Sequence, residues 1–362
     1  DSVAVLDPVV SPEPIAGSSR MHGGSATLAL CDAMCFRASR LVGGDAAAAA
    51  ATPSLYTLLH QCEGAARAAY QDPAALASVA SLAASAMSGG GRLYYIGEGV
   101  AGILGVIDAS EMPDTYGVPF DDVRAFVGGG WGADGMANRE GSAKFDGGGP
   151  ATNRHLLRLA VEDFETEVLP TLTGRDTVIL IGCGHEPGGG PADVTDIGSE
   201  SESLAAPAAP AAEQAMVSRR LYALVPRMRA RGVQSIGLVC AARSDAIGPV
   251  RADAAAAGLD AVCLLGLEAC GFAPALSGLS ELALKLALNC VSTYAMTCRG
   301  LVFSNRMIAT GPTNDKIYQR CIKLIAELTG VTLAAAKHAL LRSVHETDAL
   351  SDELLSAPNV VH

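Results

Sequence analysis

Two glycine-bearing stretches carry residue types that suit the recognition of sugars and phosphates. Pro12-Glu13-Pro14-Ile15-Ala16-Gly17-Ser18-Ser19-Arg20-Met21-His22-Gly23-Gly24-Ser25 places the hydroxyls of Ser18, Ser19 and Ser25 and the guanidinium of Arg20 among glycines. Hydroxyls exchange hydrogen bonds with sugar hydroxyls, and an Arg fork grips phosphate oxygens in pairs. The plainer reading of the same residues is a structural loop that closes a domain. Gly97-Glu98-Gly99-Val100-Ala101-Gly102 fits the Gly-x-Gly-x-x-Gly pattern between an apolar strand and a helix. Its amides could hold a phosphate. A dinucleotide would also need an acid ending the next strand, and that strand ends Phe126-Val127-Gly128-Gly129. Glu98 would stand beside the phosphate at a cost on the order of 1 kcal/mol. No cofactor is expected. Cys183, His185 and Glu186 match no established ligand spacing, so no metal is expected either. Lys285 is a cation on an otherwise apolar helix, where an unpaired ammonium is costly to bury. It either snorkels to water or meets an anion.

The elements that must position these groups are legible in outline. Helices are expected over 24–42, 54–70, 72–87 and 100–110, and strands over 93–96, 123–127 and 177–181. Asp72-Pro73 marks a helix start, with an acidic cap and Pro at the first helical position. Further helices are expected over 161–169, 215–230, 244–257, 280–297, 316–328 and 333–344, and strands over 235–240 and 261–265. Strands and helices alternate from 92 to 265, which predicts parallel strands with right-handed crossovers in a doubly wound α/β sandwich. The segment 128–150 reads as a glycine-rich surface loop, and 183–213 as a disordered insertion rich in Gly, Pro, Ala, Ser and Glu.

Hydrophobic residues make up 49 % of the 362 residues and aromatics 4 %, so Ala, Val and Leu must form the core. A net charge of −12 argues against nucleic acid, whose phosphates need a basic surface. No apolar run reaches the roughly 20 residues of a membrane span. The ten cysteines include no Cys-x-x-Cys pair and fit a reducing compartment. Cys31 and Cys35 are expected as buried thiols on an apolar helix face.

The Gly17-to-Ser25 motif, the glycine loop and Ile107-Asp108-Ala109-Ser110-Glu111-Met112 together resemble the sugar isomerase (SIS) domain family. The resemblance is to the branch holding N-acetylmuramic acid 6-phosphate etherase and the animal glucokinase regulatory protein. In one SIS domain of this branch the Gly-Ser-Ser-Arg-Met segment follows the Asp-Ala-Ser-Glu segment, whereas here it precedes it. That order implies a tandem: residues 1–45 as the tail of a first SIS domain, 53–300 as a second, and 301–362 as the start of a helical lid. Leu340-Leu341-Arg342-Ser343-Val344-His345 and Leu350-Ser351-Asp352-Glu353 resemble the lid of the regulatory branch. A weak internal repeat, Ser25–Cys31 against Leu282–Leu288, agrees with the tandem. The chain begins at Asp1 without Met, so a missing N-terminus is expected.

The resemblance implies a SIS-type sheet sandwiched by helices and a regulator that binds a phosphorylated hexose such as fructose 6-phosphate. Its protein partner would be a glucokinase or hexokinase, in the cytoplasm or nucleus. Ser18, Ser19, Arg20, Ser25 and Lys285 would bind the sugar phosphate, Lys285 by reaching across between domains. His22 stands where the family usually has Lys. The family's loop hydroxyls are replaced by Val100 and Ala101, and a second loop, Gly182-Cys183-Gly184, also lacks one. The alternative is an etherase-like lyase releasing lactate, with Glu111 as its acid/base. The etherase's second glutamate has no counterpart among 128–149. An NAD-dependent oxidoreductase is the third class weighed.

Overall fold

The computed structural model describes residues 11–42, 50, 52–128, 158–184, 216–267, 278–312 and 315–356. A loop leads into α1 (His22–Val42), then α2 (Leu55–Tyr70) and α3 (Pro73–Ser88). Ser54 Oγ accepts from the Thr57 amide (3.1 Å), and Asp72 Oδ1 from the Ala75 amide (2.9 Å). Each side chain satisfies an amide that the first helical turn leaves free. The first strand, β1 (Leu93–Gly97), feeds α4 (Gly99–Tyr116) and then β2 (Val123–Val127). α4 runs past the expected end at 110 and stops at Gly117, whose φ of 67° suits a left-handed helix cap.

After Val161–Asp163, the chain widens into a π turn at Phe164–Val168 and tightens into a 3-10 turn at Leu169–Thr171. β3 (Thr177–Cys183) follows. In place of one helix over 215–230 there are two short ones, α5 (Arg219–Tyr222) and α6 (Val225–Arg229). Pro226 explains the break, since a residue without an amide hydrogen fits only a first helical turn. β4 (Gln234–Ala241), α7 (Ile247–Ala257), β5 (Ala261–Gly266) and α8 (Leu279–Cys298) complete the sandwich. A hairpin, β6 (Val302–Phe303) and β7 (Arg306–Met307), leads to α9 (Asp315–Thr329), α10 (Leu333–Val344) and α11 (Asp352–Ser356).

The five strands are parallel in the order β2-β1-β3-β4-β5, as the alternation predicts. Register pairs Gly97 with both Val127 and Ile181. Strands covered on both faces read as continuous apolar runs, and the two faces separate at a period of two. Tyr95, Ile179, Ile181, Ile236 and Leu238 pack under α2, α3, α4 and α8. Tyr94, Ile96, Val178, Leu180 and Val239 pack with Phe164, Leu221, Val225 and Met228 on the other face. Tyr318, Ile322, Ala336, Leu340 and Leu341 form a separate small core between α9 and α10.

Cys31 and Cys35 correct the expectation made for them. Both are exposed, because the inward position of α1 in that region is taken by Ala33, with no exposed surface. The expected segments 128–150 and 183–213 fall almost entirely outside the described residues. Among the described residues no single helix is long and apolar enough to cross a membrane.

Two glycines of the Gly-x-Gly-x-x-Gly stretch answer to packing. A Cβ on Gly102 would sit 2.7 Å from the Gly97 carbonyl oxygen and 2.7 Å from Val127 Cγ2. Gly102→Val should therefore destabilise the chain by about 1–3 kcal/mol through overpacking. Gly99, at φ 53° with open space around it, should accept Asn at about 1 kcal/mol or less. Chemical denaturation of the two variants checks the ranking.

Candidate functional site

Asp108 sits midway along α4 with 3 % of its surface exposed. Its Oδ1 accepts from Arg20 Nη1 (2.9 Å), Asn289 Nδ2 (2.9 Å) and Ser292 Oγ (3.1 Å). Its Oδ2 accepts from the Tyr95 hydroxyl (3.0 Å). Four elements meet on this one carboxylate: the N-terminal loop, β1, α4 and α8. Arg20 spends its second terminal nitrogen on Thr293 Oγ1 (2.8 Å), Ser292 Oγ (3.2 Å) and Tyr116 OH (3.5 Å). Burial works against the Arg20 charge, but Asp108, aided by Tyr116 and Tyr95, outweighs it and lifts the guanidinium above its ordinary pKa. Burial, then Asp108, pushes the Tyr95 hydroxyl well up, so it serves as a donor.

Lys285 enters the same network from the first half of α8. Its Nζ donates to the Arg20 carbonyl (2.9 Å), Ser25 Oγ (2.9 Å) and Asn289 Oδ1 (3.0 Å). All three donors of the ammonium are used, and every acceptor is neutral. Burial lowers its pKa to about 8, with Arg20 adding to the fall while Asp108, Glu13 and Glu111 pull it back up. The loop it touches is held by Glu13, whose carboxylate accepts from the amides of His22 (2.8 Å) and Gly23 (2.7 Å) at the start of α1. A negative charge there also suits the helix dipole.

The expected site residues divide. Arg20, Ser25 and Lys285 meet directly. Ser18 is buried in the turn whose amide donates to Ile15 O (3.1 Å), and Ser19 is exposed. Among the described residues neither serine hydroxyl joins the Asp108 network. Glu111 lies one turn beyond Asp108, half-buried, and acts on Lys285 through its charge. Sequence reasoning missed Asp108 itself, along with Tyr95, Asn289 and Ser292. The signal lay beside the residue that drew attention, since Asp108 stands three positions before Glu111 in one motif.

The Glu98 side chain of the glycine loop turns to a neighbour and makes no cap hydrogen bond to the α4 amides. Ser218 Oγ donates to Glu98 Oε1 (2.8 Å), and Gly128 leaves room for the Glu98 stem. At the end of β3, burial and the Glu281 charge push the Cys183 thiol up to about 12. His185 and Glu186 lie outside the described residues. Among the described residues no group of three metal-ligating side chains gathers.

The Asp108 node should dominate stability. Asp108→Ala leaves a buried guanidinium without its counter-ion and should cost about 3–5 kcal/mol. Arg20→Met combined with Asp108→Leu removes both charges and should cost much less. A double-mutant cycle by denaturation measures the difference.

The chain matches the family model for the second SIS domain of glucokinase regulatory protein over residues 70–186, and that for its C-terminal lid domain over 304–362. It is 27% identical over 352 residues to the glucokinase regulatory protein of Xenopus laevis, covering 97% of this chain and 50% of that protein. The Homo sapiens protein is 26% identical over 359 residues, covering 99% of this chain and 51% of its own length. The chain thus spans about half the length of these relatives. It is 31% identical over 277 residues to N-acetylmuramic acid 6-phosphate etherase of Yersinia pestis (strain Pestoides F), covering 75% of this chain and 74% of that enzyme. With its parallel sheet, its flanking helices and these matches, the chain belongs to the SIS-domain family, in the branch that holds N-acetylmuramic acid 6-phosphate etherase and the glucokinase regulatory protein.

Proposed function

We propose that the parent protein binds a phosphorylated hexose, fructose 6-phosphate being the first candidate, and modulates a glucokinase or hexokinase in response. The observation that carries this reading is Lys285. A half-buried ammonium held by three neutral acceptors has no carboxylate to neutralise it directly. Two of those acceptors belong to the Gly17-to-Ser25 segment, the loop and first turn of α1, so a phosphate arriving there can take the charge over from Ser25 and the Arg20 carbonyl. Asp108 is not a free base, because both its oxygens are engaged. That favours binding over chemistry.

The proposed tandem is supported by the packing of α1. It lies outside the sheet unit on α2 and α8, while α8 itself lies against the sheet. Leu28, Met34, Leu41 and Val42 of α1 stay exposed, as expected of a helix whose other neighbours belong to another unit. A second reading, lactyl ether cleavage, rests on Glu111 and on the likeness to the etherase. Against it stands the missing second glutamate.

Lys285→Ala should weaken fructose 6-phosphate binding roughly tenfold or more, about 1.4 kcal/mol, in calorimetric titration of the full-length protein. Equal affinities would overturn the reading. Lactate released from N-acetylmuramic acid 6-phosphate, and lost in Glu111→Ala, would establish the etherase instead.

The pH dependence has a definite sign. A phosphate monoester is dianionic above about pH 6, and Lys285, with a pKa of about 8 in place of 10.5, is charged below that value. Affinity should be greatest between these limits and fall as pH rises through 8. Lys285→Met should remove the alkaline fall, and titrations at pH 7 and 9 decide it.

A further inference from the structure

Arg306, Lys316, Arg320 and Lys323 converge on one cavity of about 490 Å³, between the N-terminal loop at Ala16–Gly17, the β6–β7 hairpin and α9. Such a volume admits a small organic ligand. The chain as a whole has 38 acids against 26 Lys and Arg, yet the lining holds four bases and no acid. Gln319 adds an amide. The charge is only partly spent. Arg306 Nη1 pairs with Glu327 Oε2 at 2.7 Å, outside the lining. Arg320 Nη1 donates to the Gly17 carbonyl (3.1 Å). Lys316 and Lys323 are exposed and pair with no carboxylate among the described residues.

The arrangement is not explained by folding. Lys316, Arg320 and Lys323 stand at i, i+4 and i+7, on one face of α9, where like charges cost the helix about 0.2–0.5 kcal/mol per pair. Tyr318 and Ile322 bury themselves in the small core beneath the lid. The basic face is turned instead toward a loop fixed in place. Ala16 bridges Arg306, its amide donating to the Asn305 carbonyl (2.7 Å). Gly17, at φ 93°, lets the Arg320 guanidinium lie closer than any Cβ would permit. A fixed loop and a cluster of cations thus line one cavity.

We infer that this cavity is a binding site for a small organic anion bearing two phosphate groups, separate from the Lys285 site. Four cations offset by one glutamate leave an excess of three positive charges, which a single phosphate monoester of about −2 would not balance and a diphosphate or bisphosphate would. Lys316 and Lys323 supply mobile point charges, and Arg320 the fixed fork.

Calorimetric titration of the 362-residue chain with inorganic pyrophosphate, with a hexose bisphosphate and with inorganic phosphate tests this. One pyrophosphate should bind per chain, more tightly than phosphate, and more weakly as salt rises. Lys316→Ala with Lys323→Ala should weaken it roughly tenfold or more, while Lys316→Arg with Lys323→Arg stays within about threefold, since charge is kept. In a Lys285→Ala background the Ala pair should produce the same loss, which separates this cavity from the Lys285 site. The two lysines are exposed and their like charges are relieved in the Ala pair, so the unfolding midpoint should not fall, and the Arg pair provides a folded control in any case. The inference is overturned by no binding at millimolar pyrophosphate, by equal affinity in the Ala pair, or by a loss that follows Lys285 instead. Phosphate binding as tightly as pyrophosphate would overturn the two-phosphate assignment.

Discussion

A single buried carboxylate organises the contact of the N-terminal loop with β1, α4 and α8. Asp108 cannot be left unpaired at 3 % exposure, because the desolvation of a lone ion in the interior costs several kcal/mol. It is satisfied from four directions, by Arg20, Tyr95, Asn289 and Ser292. The requirement runs both ways. Arg20 is buried on Asp108, and the loop carrying it is thereby drawn onto the junction of α4 and α8. The same loop is held besides by Lys285, by the Asn305 carbonyl of the hairpin turn and by Arg320.

The loop then becomes a connector. At one end its carbonyl and Ser25 hydroxyl hold Lys285. At the other it pairs with the β6–β7 hairpin at Arg306 and accepts from Arg320 of α9. A segment of about ten residues thus joins the sheet unit to the helices that follow it. Thr310 Oγ1, donating to the Thr115 carbonyl at 2.9 Å, makes a second link between those parts. Any ligand that changes the loop at either end has a physical route to the lid through named hydrogen bonds.

The expected phosphate loops of the sheet carry a different chemistry from the one their pattern suggests. Glu98 stands at the start of α4, where an anion is favourably placed, and it is held there by Ser218. Its carboxylate makes no cap hydrogen bond to the α4 amides and turns to the Ser218 hydroxyl instead. The glycines around it answer to the close approach of α4 to β1 and β2 rather than to a ligand. Cationic character is found elsewhere, at Lys285 and on the basic face of α9.

The sequence by itself determined the sheet. Continuous apolar runs such as Thr177–Ile181 and alternating amphipathic helices admit little but a parallel, doubly wound arrangement, and local periodicity is enough to show it. It also determined the helix expected over 333–344, which is α10 (Leu333–Val344), and the structure adds Thr332 as its cap. Of the site, it marked Arg20, Ser25 and Lys285, since a cation on an apolar helix and hydroxyls among glycines stand out without any partner in view. Only the tertiary structure decided that these meet, because Lys285 and Ser25 are 260 residues apart and no local pattern encodes such a contact. It alone raised Asp108 from a neighbour of Glu111 to the centre of the network. The outward turn of Cys31 and Cys35 was settled in the same way, since a helix of Ala, Leu, Met and Cys has no single apolar face until its neighbours choose one. The gathering of the α9 cations around one cavity likewise exists only once the loop at Gly17 and the hairpin at Arg306 are folded against them.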